Sequence, residues 1–297
     1  MTESLNKPEG DPAASPVAQP SSLASYAVFG NPIKHSKSPA IHAAFARQFG
    51  EEFGYRAVRV EPAEFEDKVR AFFERGGCGL NITVPFKERA FAMATQVSDR
   101  AARARAANFL MPTEDGGLLA DNTDGIGLVR DMAANQGWQL GGRRALILGA
   151  GGAVRGILKP LLQEGPDSVF IANRTSSRAK DLADEFQEEG VTIAGGGFGA
   201  LDGQSFDLII NGTSAGLAGE MPALPALFLS DRCCCYDMVY GAEPTPFMRW
   251  SAGQAAWAIA DGLGMLVEQA AESFYLWRGH RPGTGEIIQS LRQQMAA

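Results

Sequence analysis

The sequence predicts an α/β protein of two domains, and three observations carry that expectation. From Tyr26 onward, short apolar β-type runs alternate with amphipathic helical stretches, the pattern of a layered α/β architecture. Ala145 to Leu148 is an apolar run that feeds directly into Gly149, Gly151 and Gly152, and a second run, Ser168 to Ala172, follows about twenty residues later. FDLIING at 206–212 and CCCYDMVY at 233–240 are nearly unbroken apolar strands, as a parallel sheet buried on both faces requires. At 297 residues the chain is about twice a usual domain length.

The elements of the first half follow in order. YAVFG at 26–30 reads as a strand, and 38–50 as a helix with Ser38 as N-cap, Pro39 at the first position and Gly50 as its stop. YRAVRV at 55–60 is the next strand. Phe65, Val69 and Phe72 recur at i, i+4 and i+7 on a helix that ends at Gly76 and Gly77. GLNITV at 79–84 is a strand stopped by Pro85, and Ser98 caps a short Ala/Arg helix. AANFLM and LLADN flank the TEDGG turn as a hairpin, and 125–136, bounded by Gly137, is a helix leading to the strand at 145. The first domain thus ends near Asp124. In the last stretch, Leu263, Leu266, Val267, Ala270, Phe274 and Trp277 form one stripe of a helix over 262–278, whose packing partner the sequence leaves open.

The glycine-rich turn and the strand after it describe a dinucleotide site. Bare backbone at Gly149, Gly151 and Gly152 lets a pyrophosphate sit against the amides that open the next helix. The strand ending at Ala172 is followed by Asn173 and Arg174, not by the Asp or Glu that binds a ribose 2′-hydroxyl. Arg174 and Arg178 instead offer two guanidinium forks suited to a 2′-phosphate, so the cofactor expected is NADP. The third glycine position of the motif is Val154, a larger side chain where helix packs on strand.

Two polar clusters fall where strands end. In HSKS at 35–38, Ser36 and Ser38 lie beside Lys34 and Lys37 and could hold a carboxylate, unless Ser38 only caps its helix. In NITVPFK, Asn81 and Thr83 share one strand face, and Lys87 is delivered near the strand's end. Most lysines are solvated surface charges. Asp124, in DNTDG at 121–125, changes the weighing, because a Lys and an Asp converging beside a hydride donor suit carbonyl reduction. His35, His42 and His280 share no ligand spacing, so no metal is expected and His35 reads as structural.

Composition excludes several classes. Hydrophobic residues at 45% and charged residues at 21% are ordinary globular values. A net charge of −7 and a pI near 5.1 argue against a nucleic-acid or anionic-membrane binder. No run approaches the ~18 apolar residues of a membrane span. Residues 1–24 are rich in Pro, Ser and Ala, lack an apolar core and contain no Arg, so they read as a disordered tail and not as a signal or transit peptide. Cys78 stands alone, and Cys233, Cys234 and Cys235 lack a chelating spacing, as in a buried strand of a reduced cytoplasmic protein.

YAVFGNPIKHSKSPAIH, NITVPFK, DNTDG, GAGGA, NRTSSR, YDMVY and ADGLGMLVEQA, in this order and at these intervals, resemble the shikimate dehydrogenase family from Tyr26 to roughly Pro282. The resemblance implies a substrate-binding catalytic domain over 25–124, rejoined by helices of 262–297, and a Rossmann-like NADP domain over 125–261. It implies reversible NADPH-dependent reduction of 3-dehydroshikimate to shikimate. Ser36, Ser38 and Tyr240 would bind the carboxylate; Asn81, Thr83, Lys87, Asn108, Asp124 and Gln269 would hold the ring hydroxyls, with Lys87 and Asp124 catalytic. Gly149, Ala150, Gly151, Gly152 and Ala153 would cradle the pyrophosphate, Asn173, Arg174, Thr175 and Arg178 the 2′-phosphate side, and Thr213, Met238 and Gly262 would lie near the nicotinamide. The chain departs from the family pattern at Phe109, after Asn108, which makes that contact less secure, and at Gly212, where the family commonly has Ala, a change expected to loosen the loop. The alternatives are a quinate/shikimate dehydrogenase using NAD and a non-catalytic NADP-sensing protein, and monomer and homodimer both stay open.

Overall fold

A computed structural model describes residues 24–187, 190–213, 215, 220–225 and 228–296. The tail expected over 1–24 lies outside the described residues except for Ala24. The first half runs β1 (Ser25–Gly30), α1 (Ser38–Phe49), β2 (Gly54–Arg59), α2 (Phe65–Glu74), β3 (Gly77–Ile82), α3 (Lys87–Met93), β4 (Gln96–Val97), α4 (Asp99–Ala104), β5 (Phe109–Pro112) and β6 (Leu118–Asp121). Its six strands form one sheet in the order β2-β1-β3-β5-β6-β4. Strands β1, β2 and β3 are parallel, and the expected hairpin of β5 and β6 is antiparallel, with Leu110 opposite Ala120.

The second half continues with α5 (Asp124–Arg130), β7 (Arg144–Leu148), α6 (Gly152–Gln163), β8 (Ser168–Ala172), α7 (Ser176–Glu185), β9 (Thr192–Gly196), β10 (Ser205–Asn211), β11 (Phe228–Asp237), α8 (Pro246–Gly253) and β12 (Ala258–Asp261). Its sheet is parallel throughout, in the order β12-β11-β10-β7-β8-β9. The chain therefore starts in the middle, moves outward through β8 and β9, then crosses to β10. A crevice opens where the strand order reverses, beyond the carboxyl ends of β7 and β10. The unbroken apolar strands follow from burial on both faces: Ala145, Ile147, Leu208, Ile210, Cys234 and Tyr236 face one core, and Leu146, Leu148, Ile209, Cys233 and Cys235 the other.

Two helices, α9 (Leu263–Arg278) and α10 (Gly285–Ala296), end the chain. The stripe on α9 packs back on the first half, where Leu263, Val267, Ala270 and Phe274 bury themselves against Ile41 and Phe45 of α1 and Leu291 of α10. That answers the packing question the sequence leaves open. Between the halves, α5 is held by close helix contacts that only glycine permits. A Cβ on Gly125 would lie 2.6 Å from Pro160 of α6, and one on Gly127 would lie 2.8 Å from the backbone of Gln269 on α9.

Several boundaries differ from expectation. The N-cap of α1 is Lys37, and Ser38 is the first helical residue with no capping bond from its side chain. The Ser36 hydroxyl accepts the Ser38 amide at 3.3 Å instead, and the Ser38 side chain lines the cleft beside Tyr55. The helix expected over 125–136 is α5 followed by a wider turn over Asp131–Asn135. The α2 helix stops at Glu74, and Gly77 already belongs to β3. β11 ends at Asp237, so Met238 to Tyr240 leave the sheet and turn toward the crevice. Ser98 caps α4 as expected, its hydroxyl accepting the Ala101 amide at 3.2 Å.

Candidate active site

A cleft of about 340 Å³ lies between the two halves. It gathers Ser36, Ser38, Asn81, Thr83, Lys87, Asn108, Asp124, Tyr240 and Gln269, every substrate-side residue the sequence nominates, together with Met238 and Gly262. Each arrives from a different piece of local structure. Lys87 opens α3 after the Val84–Pro85 turn, and Asp124 opens α5 after β6, so the pair meets across the sheet end with Lys87 Nζ 2.5 Å from Asp124 Oδ2. Their side chains are only 29% and 13% exposed, so the ion pair is partly shielded from water and its geometry is more sharply fixed than a surface pair's.

The orientation of this pair is set by its neighbours. Asn108 Nδ2 donates to Asp124 Oδ1 at 2.8 Å and to Thr123 Oγ1 at 2.9 Å, while Asn108 Oδ1 accepts the Thr123 amide at 2.8 Å. The Asp124 amide donates to Asn122 Oδ1 at 3.1 Å. The departure at Phe109 leaves Asn108 in place, because Phe109 on the alternate side of β5 stacks on Trp277 with ring centroids 5.1 Å apart. Asn81 is held from behind: its Oδ1 accepts Tyr55 Oη at 2.7 Å, and its Nδ2 donates to Ser273 Oγ at 2.9 Å and to the Asn108 carbonyl. Tyr55, Thr123 and Ser273 escape the sequence reading. They are ordinary polar residues whose role exists only once β2, the DNTDG turn and α9 converge.

The same cleft is lined by Ser36, Ser38 and Tyr240 together with Lys34 and Lys37. Burial first, and the nearby charge of Asp261 second, push the Tyr240 phenol above its ordinary value, so it stays a neutral hydroxyl donor. Neutral donors beside cations suit a carboxylate.

The crevice of the second sheet supplies the dinucleotide features. The 12-residue α6 starts at Gly152 after an extended Gly151, with no side chain occupying its N-terminus. A Cβ on Gly151 or Gly152 would meet nothing within 4 Å, so the first-turn amides face open space that a pyrophosphate fits. Beyond β8, Arg174 and Arg178 are exposed and form no ion pair among the described residues. Asn173 Nδ2 donates to the Thr175 carbonyl at 3.0 Å and shapes that turn. Thr213, after β10, is held by Asn211. The space at Gly212 itself is tight: a Cβ there would lie 2.5 Å from Val154 Cγ2 and 3.1 Å from Met238 Sδ. The large residue at the motif's third glycine position fills the space that the small residue at 212 vacates.

These features define an α/β nucleotide-binding oxidoreductase with an ion-paired lysine in its cleft. Residues 28–110 match the family described as shikimate dehydrogenase substrate binding domain, 131–216 match shikimate / quinate 5-dehydrogenase, and 262–292 match the shikimate 5′-dehydrogenase C-terminal domain. The chain is 54% identical over 270 residues to the NADP(+) shikimate dehydrogenase of Cellvibrio japonicus, covering 91% of this chain and 97% of that one. It is 56% identical over 269 residues to the enzyme of the same name from Methylococcus capsulatus, covering 91% and 96%. The solved shikimate 5-dehydrogenase of Thermus thermophilus, in complex with NADP(H) and shikimate, superposes with a TM-score of 0.80 at 32% identity, covering 91% of this chain and 99% of that one. The chain belongs to the shikimate dehydrogenase family.

Proposed function

We infer that the protein catalyses the reversible NADPH-dependent reduction of 3-dehydroshikimate to shikimate, a step toward chorismate and the aromatic amino acids. The observation that carries this is the Lys87–Asp124 pair in one cleft with the hydroxyls of Ser36, Ser38 and Tyr240, with Met238 of the nucleotide half and Gly262, where the chain returns to the first half, on its wall. In this reading the substrate domain is 25–124 with 262–297 and the NADP domain is 125–261.

When bound, NADPH supplies the hydride to the carbonyl carbon. Lys87 donates its Nζ proton to the carbonyl oxygen as the hydride arrives, and takes the hydroxyl proton back in the reverse direction. Asp124 keeps Nζ aimed, and Asn108 keeps Asp124 from rotating. Ser36, Ser38 and Tyr240 hold the carboxylate, while Asn81, Thr83 and Gln269 contact ring hydroxyls, so the reacting carbon faces the nucleotide half. The backbone of Gly149 to Ala153 holds the pyrophosphate. Asn173, Arg174, Thr175 and Arg178 hold the 2′-phosphate side. Among the described residues no helix is long and apolar enough to cross a membrane.

Initial rates followed at the nicotinamide absorbance, with NADP or NAD against shikimate or quinate, test the reading. Turnover confined to NADP with shikimate supports it. Comparable rates with quinate or NAD move the assignment to a broader dehydrogenase, and NADP binding with no turnover makes the protein a sensor.

A further inference from the structure

Thr213, Met238 and Gly262 sit on three separate connections, those that follow β10, β11 and β12. One buried carboxylate joins all three. Asp237, the last residue of β11, is fully shielded from solvent and is not among the residues lining the cleft. Its Oδ1 accepts the Val239 amide at 3.1 Å and Asn211 Nδ2 at 3.0 Å, and its Oδ2 accepts Thr245 Oγ1 at 2.5 Å.

Each of these bonds continues into a further contact. Asn211, itself buried, uses Oδ1 to accept Thr213 Oγ1 at 2.8 Å and the Thr213 amide at 3.2 Å. The Met238 amide donates to the Asn211 carbonyl at 2.9 Å, and the Gly262 amide donates to the Val239 carbonyl at 3.2 Å. Thr245 caps α8 by accepting the Met248 amide at 3.1 Å, which closes the 238–245 segment that carries Tyr240. A carboxylate this deep is costly unless its oxygens are satisfied, and here its donors are the last residue of β10 and two residues of the connection after β11.

We propose that Asp237 is a positioning residue for hydride transfer, setting where Thr213, Met238 and Gly262 stand about the nicotinamide and where Tyr240 stands against the substrate carboxylate. This rests on reading the cleft as the NADP and shikimate site. Asp237 touches neither ligand, so its effect falls on geometry, where a displacement of about 1 Å costs rate on the order of a hundredfold.

The test compares Asp237→Ala, which strands three donors, with Asp237→Asn, which retains one oxygen acceptor and the shape. Asp237→Ala should lower kcat at least about tenfold and raise the primary isotope effect read with NADPH deuterated at C4, since hydride transfer then limits turnover. Affinity for 2′,5′-ADP, which lacks the nicotinamide, should stay within about twofold, and kcat of Asp237→Asn within about threefold of wild type. In the ligand-free protein, hydrogen exchange at the Thr213 and Val239 amides should accelerate in Asp237→Ala while β7 is unchanged. An Asp237→Ala protein with near-normal kcat and unchanged exchange would overturn the proposal, as would loss of 2′,5′-ADP affinity in step with kcat. Should Asp237→Ala not fold, Asn211→Ala, which cuts only the arm to Thr213, decides: a kcat lowered about fivefold or more with 2′,5′-ADP affinity intact supports the role, and unchanged kcat overturns it. A wild type silent with NADPH and 3-dehydroshikimate would instead overturn the reading of the site itself.

Discussion

Gly212 and Val154 form a size-compensated pair, and that pairing can be weighed from the structure. An ideal Cβ at Gly212 lies 2.5 Å from Val154 Cγ2. Apolar carbons settle near ~3.5–4 Å, so roughly 1 Å must be made up. Val154 is fully buried in the first turn of α6 and has no free side to move into. Gly212→Ala should therefore cost about 1–3 kcal/mol as overpacking. It should also weaken NADP binding several-fold, because the turn that shifts is the one whose amides face the pyrophosphate. Val154→Ala alone removes two buried methyl groups, about 0.8 kcal/mol each, and leaves a cavity, for a total near ~2 kcal/mol. In the double variant the new methyl enters the space the valine has left. Urea unfolding followed by tryptophan fluorescence, with NADP titration of each protein, should show the double variant about 1–2 kcal/mol more stable than the sum of the singles predicts, and NADP affinity restored toward wild type. Effects that add within about 0.5 kcal/mol would show that the two residues do not share that space.

Lys87→Ala should keep shikimate binding, seen calorimetrically, and lose roughly two or more orders of magnitude in kcat; near-normal turnover would end its proton-transfer role. Replacing Arg174 and Arg178 together with Gln should raise KM for NADP at least about tenfold with little change for NAD, and an equal effect on both cofactors would remove them from the 2′-phosphate site. His42 is fully buried against Tyr55, its ring centroid 4.2 Å away, and burial lowers its pKa to about 3, an effect that the smaller opposing influence of Asn81 does not offset. The unfolded chain binds that proton near ~6.5, so His42 favours the folded state fully above pH ~6.5 and loses that contribution as pH falls toward 3; His42→Phe should flatten the acid side of the stability profile, and parallel profiles would refute this. Asp207, held to about 2 chiefly by hydrogen bonds from Arg144, contributes stability above pH ~4 that disappears as pH falls through about 2. Arg144 is largely solvated, so screening leaves about 1 kcal/mol for Asp207→Asn to remove at pH 7, read by urea unfolding at pH 7 and pH 2.

The sequence by itself determined the class of fold and most of the site. Period-two alternation, glycine after an apolar strand, and Arg174 where an acid would bind a ribose hydroxyl are local signals, each complete within a few residues. Lys87, Asp124 and the hydroxyls of Ser36 and Ser38 were legible because strand ends are where such folds place ligands. What tertiary structure decided depends on residues far apart in the chain. Ser38 is equally fit by sequence to cap its helix, and only the position of the α1 start, one residue earlier, puts its side chain on the cleft wall. The space beside Gly212 is filled by Val154, 58 positions earlier (212 − 154), a contact no local signal gives. Tyr55 behind Asn81, and Asp237 behind Thr213, Met238 and Gly262, carry no signature of their own, since a supporting side chain is defined by what it holds. Periodicity and turn chemistry act along the chain, whereas packing and hydrogen-bond satisfaction act across it, and only the folded arrangement fixes which distant groups must satisfy one another.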